Sequence, residues 1–361
     1  MRTLTIAALV VAGCGEPSPP GFSTGPGITT APMSTSTSST SGDMSSTGPA
    51  EDSAGMDSAG ESTTGLLRDV GATIDFGSPQ PPGCKGKVDL LFLISRYGSM
   101  QTVQTQLLAS FPGFVDTIQE KLANFDVHIM AANPEGYWPG WTCEQLCKKP
   151  PELNCDQYGY TCNDLAFDVT PCDETLGAGL IFNAGAGAAN RHCALYGGNR
   201  YVVQGEPDMD DALECIAKVG WSGSNLIGDA VIASVKPAIN ADGGCNAGFL
   251  RDDALLVIVM ISDGADGKSK STPSEQYDAV VAAKGGDPNA VVVLHVTARK
   301  DTGEPHEPGC TYQTDPLNTL RQFSKMFPYH LYGDTCAPSY APFFDAATDL
   351  IGEACDSFIP G

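Results

Sequence analysis

The sequence predicts an α/β fold with a doubly wound, mostly parallel sheet and a disulfide-rich insertion. Three observations point there. Short apolar runs of strand length alternate with segments whose apolar residues recur at helical spacing. The runs Val88–Ile94 and Ala254–Ile261 are nearly continuous rather than alternating, as expected of strands covered on both faces. Between Asn133 and Tyr201 the alternation stops, and Cys143, Cys147, Cys155, Cys162, Cys172 and Cys193 gather instead. A loop that long needs staples, which defines an insertion at about residues 134–205.

From the N-terminus, Leu4–Gly13 is apolar but shorter than the ~20 residues that cross a bilayer. It suits the apolar core of a secretory signal. The run closes Leu9-Val10-Val11-Ala12-Gly13-Cys14, which resembles the bacterial lipobox. That resemblance implies cleavage of residues 1–13 and lipid attachment at Cys14. Residues 14–83 are dominated by Ser, Thr, Gly and Pro, and bury too little apolar surface to offset chain entropy. They read as a tether with an end-to-end distance of about 45 Å. Residues 84–361 are the folded body.

Within the body, Val88–Ile94 is the first strand. Met100–Leu122 carries Val103, Leu107, Leu108, Phe111, Phe114, Val115, Ile118 and Leu122 at helical spacing, with Pro112 set to bend or break the helix. Val127–Ala131 reads as a strand, then Met209–Val219 and Gly228–Ile239 as helices. Ala254–Ile261 is the strongest strand signal. Gln276–Lys284 reads as a helix, Val291–Val296 as a strand, and Leu317–Met326 and Tyr340–Cys355 as helices.

Thirteen cysteines are many for a cytosolic chain; with Cys14 given to lipid an even number remains, as in an exported disulfide framework of undetermined pairing. The formal charge of −23 disfavours nucleic acid and anionic lipid headgroups as partners. Membrane association is therefore expected through the lipid alone. Gly15 carries no inner-membrane retention signal of the Asp type, so the outer membrane or cell surface is the default location.

Asp89-Leu90-Leu91-Phe92-Leu93-Ile94-Ser95-Arg96-Tyr97-Gly98-Ser99-Met100 resembles the first strand of a von Willebrand factor A domain. Val219-Gly220-Trp221-Ser222-Gly223-Ser224 and Leu256–Gly264 resemble two further segments of the same family. The resemblance implies a Rossmann-type three-layer fold and a metal-ion-dependent adhesion site at the strand ends. Hard oxygen ligands there hold Mg²⁺ or Ca²⁺, and the metal takes a carboxylate from the partner. This chain departs from the pattern. Ser95 stands where the family has Asp, Tyr97 where it has the first Ser, and Trp221 where it has the ligating Thr. Ser99 and Asp263 match. A degenerate site follows: a weak Mg²⁺ or Ca²⁺ at most, on Ser95, Ser99 and Asp263, with Tyr97, Trp221 and Asp266 offering a contact surface.

Other chemistry finds less support. Gly220–Ser224 misses the nucleophile elbow of serine hydrolases, and the five His show no ligand spacing. Cys143 and Cys147 suit a disulfide better than zinc in an exported protein. Asp263–Gly267 lacks the middle Asp and closing Glu of an EF-hand loop. Asp208, Asp210 and Asp211 suit a helix N-terminus. The expectation is a non-enzymatic lipoprotein that binds a protein or matrix ligand. The alternatives are a structural envelope or assembly protein, and, less favoured, a secreted hydrolase.

Overall fold

The computed structural model describes residues 84, 86–138, 169–221, 223–298 and 317–358. The signal-like run, Cys14, the tether, Cys143, Cys147, Cys155, Cys162, Ser222 and His306 lie outside them. The described residues fall within Thr73–Gly361, which forms one unit.

The strands are β1 (Lys87–Ile94), β2 (Asp126–Ala131), β3 (Phe182–Asn183), β4 (Arg191–His192), β5 (Val202–Val203), β6 (Leu255–Ile261), β7 (Val291–Thr297) and β8 (Tyr329–Asp334). The helices are α1 (Gln101–Lys121), α2 (Met209–Ala217), α3 (Ile227–Ser234), α4 (Pro237–Asn240), α5 (Pro273–Ala283), α6 (Thr319–Ser324) and α7 (Ala341–Ser357). Six strands form one sheet in the order β5-β2-β1-β6-β7-β8. Every pairing is parallel except that of β5 with β2. The order is that of doubly wound sheets, reversing between β1 and β6.

Strand pleating sends alternate residues to opposite faces. Leu90, Phe92, Ile94, Val257, Val259, Ile261, Val292, Leu294 and Val296 pack under α1, α2 and α7. Leu91, Leu93, Leu256, Ile258, Met260, Val291 and Val293 pack under α3, α5 and α6. Each fully buried aliphatic side chain contributes roughly 1.5–3 kcal/mol, so the central strands hold the three layers together.

Several boundaries differ from the sequence expectation. Pro112 does not break α1, which runs unbroken from Gln101 to Lys121. Its ring faces solvent while Phe111 and Phe114 on either side pack against Phe92, and Phe114 also packs against Phe344. The helix expected at Gly228–Ile239 is two helices. Lys236 is extended, as a residue before proline is pushed to be, and Pro237 starts α4. The segment Leu317–Met326 is helical only over α6, which Asn318 caps by accepting from the Arg321 N–H at 3.1 Å. Strand β8 was not foreseen, because Tyr329-His330-Leu331-Tyr332-Gly333-Asp334 lacks a continuous apolar run.

The described part of the insertion carries the small β3–β4 ribbon. It is stapled to the body by Cys172–Cys245 and Cys193–Cys215. Its last residues supply β5, so the insertion ends inside the main sheet. Cys84–Cys355 joins the start of the body to α7, and Cys336 is also disulfide-bonded. Disulfides persist in oxidising compartments, which assigns the body to an exported protein.

Candidate functional site

β1 stops at Ile94 and β6 at Ile261, paired side by side. The sheet order reverses between them, so the loops leaving their C-terminal ends separate to opposite faces. Open α/β sheets collect ligands at such a point. After β1 come Ser95, Arg96 and Tyr97, then a tight turn at Gly98–Met100 that leads into α1. After β6 come Ser262 and Asp263.

Ser99 and Asp263, far apart in the chain, meet there. Ser99 faces the Asp263 carboxylate closely enough to favour its charged form, and the Asp263 N–H donates to Met100 Sδ at 3.3 Å. Burial pushes the Asp263 carboxyl above its ordinary range, and Ser99 partly offsets that. Tyr97 is half-buried beside it. Burial, then Asp266 and Asp263, push its hydroxyl up, so the phenol stays neutral against the two carboxylates.

Trp221 is half-buried in the facing loop. Its N–H donates to Ala186 O at 3.0 Å, and its ring lies on Gly187, where a Cβ would overlap the indole. Its carbonyl is 3.8 Å from where a Cβ on Gly98 would stand, so the two loops touch. Tyr97, Ser99, Trp221 and Asp263 are thus brought to one edge.

Ser95 and Asp266 are not part of that surface. Ser95 is fully buried; its hydroxyl accepts from Asn225 Nδ2 at 3.0 Å and its carbonyl from Gln104 Nε2 at 2.9 Å. Asp266 is buried too, a correction to its reading as a contact residue. It accepts from the Gly228 N–H at 2.7 Å, the Ser269 N–H at 3.1 Å and the Ser269 hydroxyl at 2.5 Å, anchoring its own loop to α3.

Two charged residues that sequence reasoning passed over lie between these loops. Arg96 and Glu135 form an ion pair with both side chains wholly buried. Arg96 Nε also donates to Val219 O at 2.7 Å, and Nη2 to Ala184 O at 3.5 Å. Glu135 accepts in addition from the Ser224 N–H and from the Tyr137 hydroxyl, the latter at 2.8 Å.

A divalent ion held in the family's manner needs a wider donor set than this. Mg²⁺ usually takes one or two carboxylates plus waters. Ser95 and Asp266 are committed elsewhere, and Tyr97 and Trp221 bring rings in place of two small hydroxyls, which leaves Asp263 and Ser99 alone. No group of three or more His, Cys, Asp or Glu is arranged for a metal among the described residues. The residues present do not fit the family's ion.

The described histidines are engaged in packing or in backbone contacts. His295 is wholly buried against Ser324, 3.4 Å away, and burial pushes its pKa down to about 3. His128 bonds Phe249 O at 3.1 Å, His330 bonds Phe327 O at 2.8 Å, and His192 stacks on Phe182.

No protein-family model matches this chain, and no curated protein matches it. Three solved structures of proximal thread matrix protein 1 from the mussel byssus show a distant likeness. The first is 12% identical with a TM-score of 0.36, covering 73% of this chain and 47% of that one. A second crystal form is 11% identical with a TM-score of 0.33, over 74% and 48% of the two chains. The form with a zinc-occupied MIDAS motif is 11% identical with a TM-score of 0.32, over 75% and 48%. The chain spans about half the length of those structures, and scores at this level carry no argument. The fold assignment rests on the strand order, the parallel register and the two helical layers of this chain itself.

Proposed function

We propose that this chain is a non-enzymatic bacterial lipoprotein, anchored through Cys14 and displayed on the 14–83 tether at the outer membrane or cell surface. Its body binds a protein or matrix partner through the C-terminal edge of the sheet, with Mg²⁺ or Ca²⁺ held weakly or not at all. One observation carries the reading: Tyr97 and Trp221, half-buried aromatics, flank the Ser99–Asp263 pair at the reversal of strand order. Rigid aromatic side chains over a polar floor are what binding hot spots are made of. The non-catalytic part is supported by the burial of the Ser324–His295 contact, which no substrate reaches.

Site-directed photocrosslinking tests it. A benzoylphenylalanine at position 97 should capture one discrete partner on intact cells. The same probe at Asn289, exposed just before the start of β7 at the opposite end of the sheet, should not. Trp221→Ala should cut the yield at position 97 by about 30-fold, the loss expected of one hot-spot aromatic. The same adducts at both positions, or none at 97, would defeat the proposal. Adducts between copies of this chain at 97 would move the reading to an assembly protein.

A further inference from the structure

The poor fit to a metal raises the question of what shapes this edge instead. In an ion-dependent site the cation draws strand-end loops together by accepting lone pairs from several of them. Here the same loops converge on a side-chain cation. We propose that the guanidinium of Arg96 is the internal cation that holds the strand-end loops in place, so that the shape of the binding edge is independent of any bound metal. This concerns the same edge as the proposed function but does not depend on a partner binding there.

Four chain segments meet on this one residue. Arg96 belongs to the β1–α1 connection. Its Nε reaches Val219 O at 2.7 Å, in the loop that carries Trp221. Its Nη2 reaches Ala184 O at 3.5 Å, next to β3 in the insertion. Its Nη1 pairs with Glu135, in the segment that follows β2. Its own carbonyl accepts from the Gly223 N–H at 2.8 Å. Glu135 completes the clasp by taking the Ser224 N–H.

The planar fork of a guanidinium suits this work. It offers five donors in fixed directions and remains charged at any physiological pH. A Lys has one ammonium on a flexible stem and cannot span Val219, Ala184 and Glu135 together. The surroundings are built around the pair. Both side chains are wholly buried. A Cβ at Gly223 would overlap Glu135 Oε1 and stand 2.8 Å from Arg96 Nη1, so a side chain there would push on the ion pair. The buried carboxylate of Glu135 is neutralised by the guanidinium.

Amide hydrogen exchange on the full chain reads this directly, because the N–H groups of Gly223, Ser224 and Trp221 report the clasped loops. In the wild type their protection should be the same after EDTA treatment and in excess Mg²⁺. Arg96→Met should lower it by at least tenfold while the amides of Val257–Val259 in β6 keep theirs. Arg96→Lys, which retains a charge for Glu135, should restore Ser224 more than Trp221; equal recovery, or none, would contradict the role given to the fork. Should Arg96→Met fail to fold, the double variant Arg96→Met/Glu135→Gln leaves no buried charge unpaired and serves in its place. The proposal as a whole is also overturned if EDTA alone exposes these amides in the wild type, or if Arg96→Met keeps full protection. None of these outcomes bears on whether a partner binds at Tyr97.

Discussion

The carboxylate of Asp89 is fully buried near the start of β1, and Arg251 grips it with its backbone N–H and its Nε, both at 2.8 Å. Arg251 Nη1 also holds Asp126 at 2.6 Å, His128 Nδ1 lies 3.7 Å from Asp89, and Lys284 Nζ donates to Arg251 O at 2.6 Å. Desolvation outweighs the attraction of Arg251 and lifts the Asp89 pKa from 3.8 to about 6. A carboxyl raised on folding binds its proton more tightly in the native state, so it lowers stability as pH climbs from about 4 to about 6. At about 1.4 kcal/mol per unit, the cost is about 3 kcal/mol. His128 works in the opposite sense. Burial first, then Arg251, depress its pKa, so it adds stability above its unfolded value that is lost as pH falls. The difference between wild type and Asp89→Asn isolates the carboxyl. Urea melts across this range should show that difference narrowing toward about pH 4 and widening toward about pH 6 in favour of the variant. A difference independent of pH would refute the assignment. Side chains of this kind show how far single residues were legible. Ser99 and Asp263 were readable because a short strand-end pattern fixes them next to each other. Arg96, Glu135 and the Asp89 cluster were not, because their partners lie in loops whose meeting depends on the whole topology.

Among the elements, the central strands were the easiest to read, since a strand covered on both faces leaves an unbroken apolar run. β8 at the sheet edge has partly exposed side chains and a mixed sequence, so the same rule passes over it. The two-residue strands of the insertion are too short for any periodicity. α1 is the case where a strong local signal was overruled. Proline inside a helix removes one N–H donor and crowds the carbonyl one turn back. The helix nevertheless continues, because Val103, Leu107, Phe111, Phe114, Val115 and Ile118 dock one stripe of it on the sheet and α7. Packing of that stripe offsets a local defect worth a few kcal/mol. The defect should therefore be recoverable. Pro112→Ala, on the exposed side, should raise unfolding free energy by about 1–3 kcal/mol, seen as a higher denaturant midpoint at unchanged slope. A lower midpoint would mean that the proline is needed to shape the helix rather than merely tolerated.

Taken whole, three of the cross-links of the body nest inside one another. Cys193–Cys215 lies within Cys172–Cys245, and both lie within Cys84–Cys355. The cysteine count pointed to such a framework, but only the fold shows that two bridges tie the insertion to the body and the third ties its first strand to its last helix. The outer bridge adjoins backbone contact, since the Cys84 N–H donates to Cys355 O at 3.1 Å. All residues before Cys84, including the expected tether, therefore attach at a point fixed covalently to α7. A pull from that side is borne by the bridge before it reaches the hydrogen bonds of β1. The three bridges span separations of 271, 73 and 22 residues. If each acts by restricting the unfolded chain, removal should cost about 5–6, 4 and 3 kcal/mol in that order. Paired Cys→Ala variants followed by denaturant unfolding give the ranking. If the short Cys193–Cys215 bridge proves the most stabilising, loop entropy is not what the bridges supply. Their work would then be local, holding the insertion against α2 beneath the loop that carries Trp221.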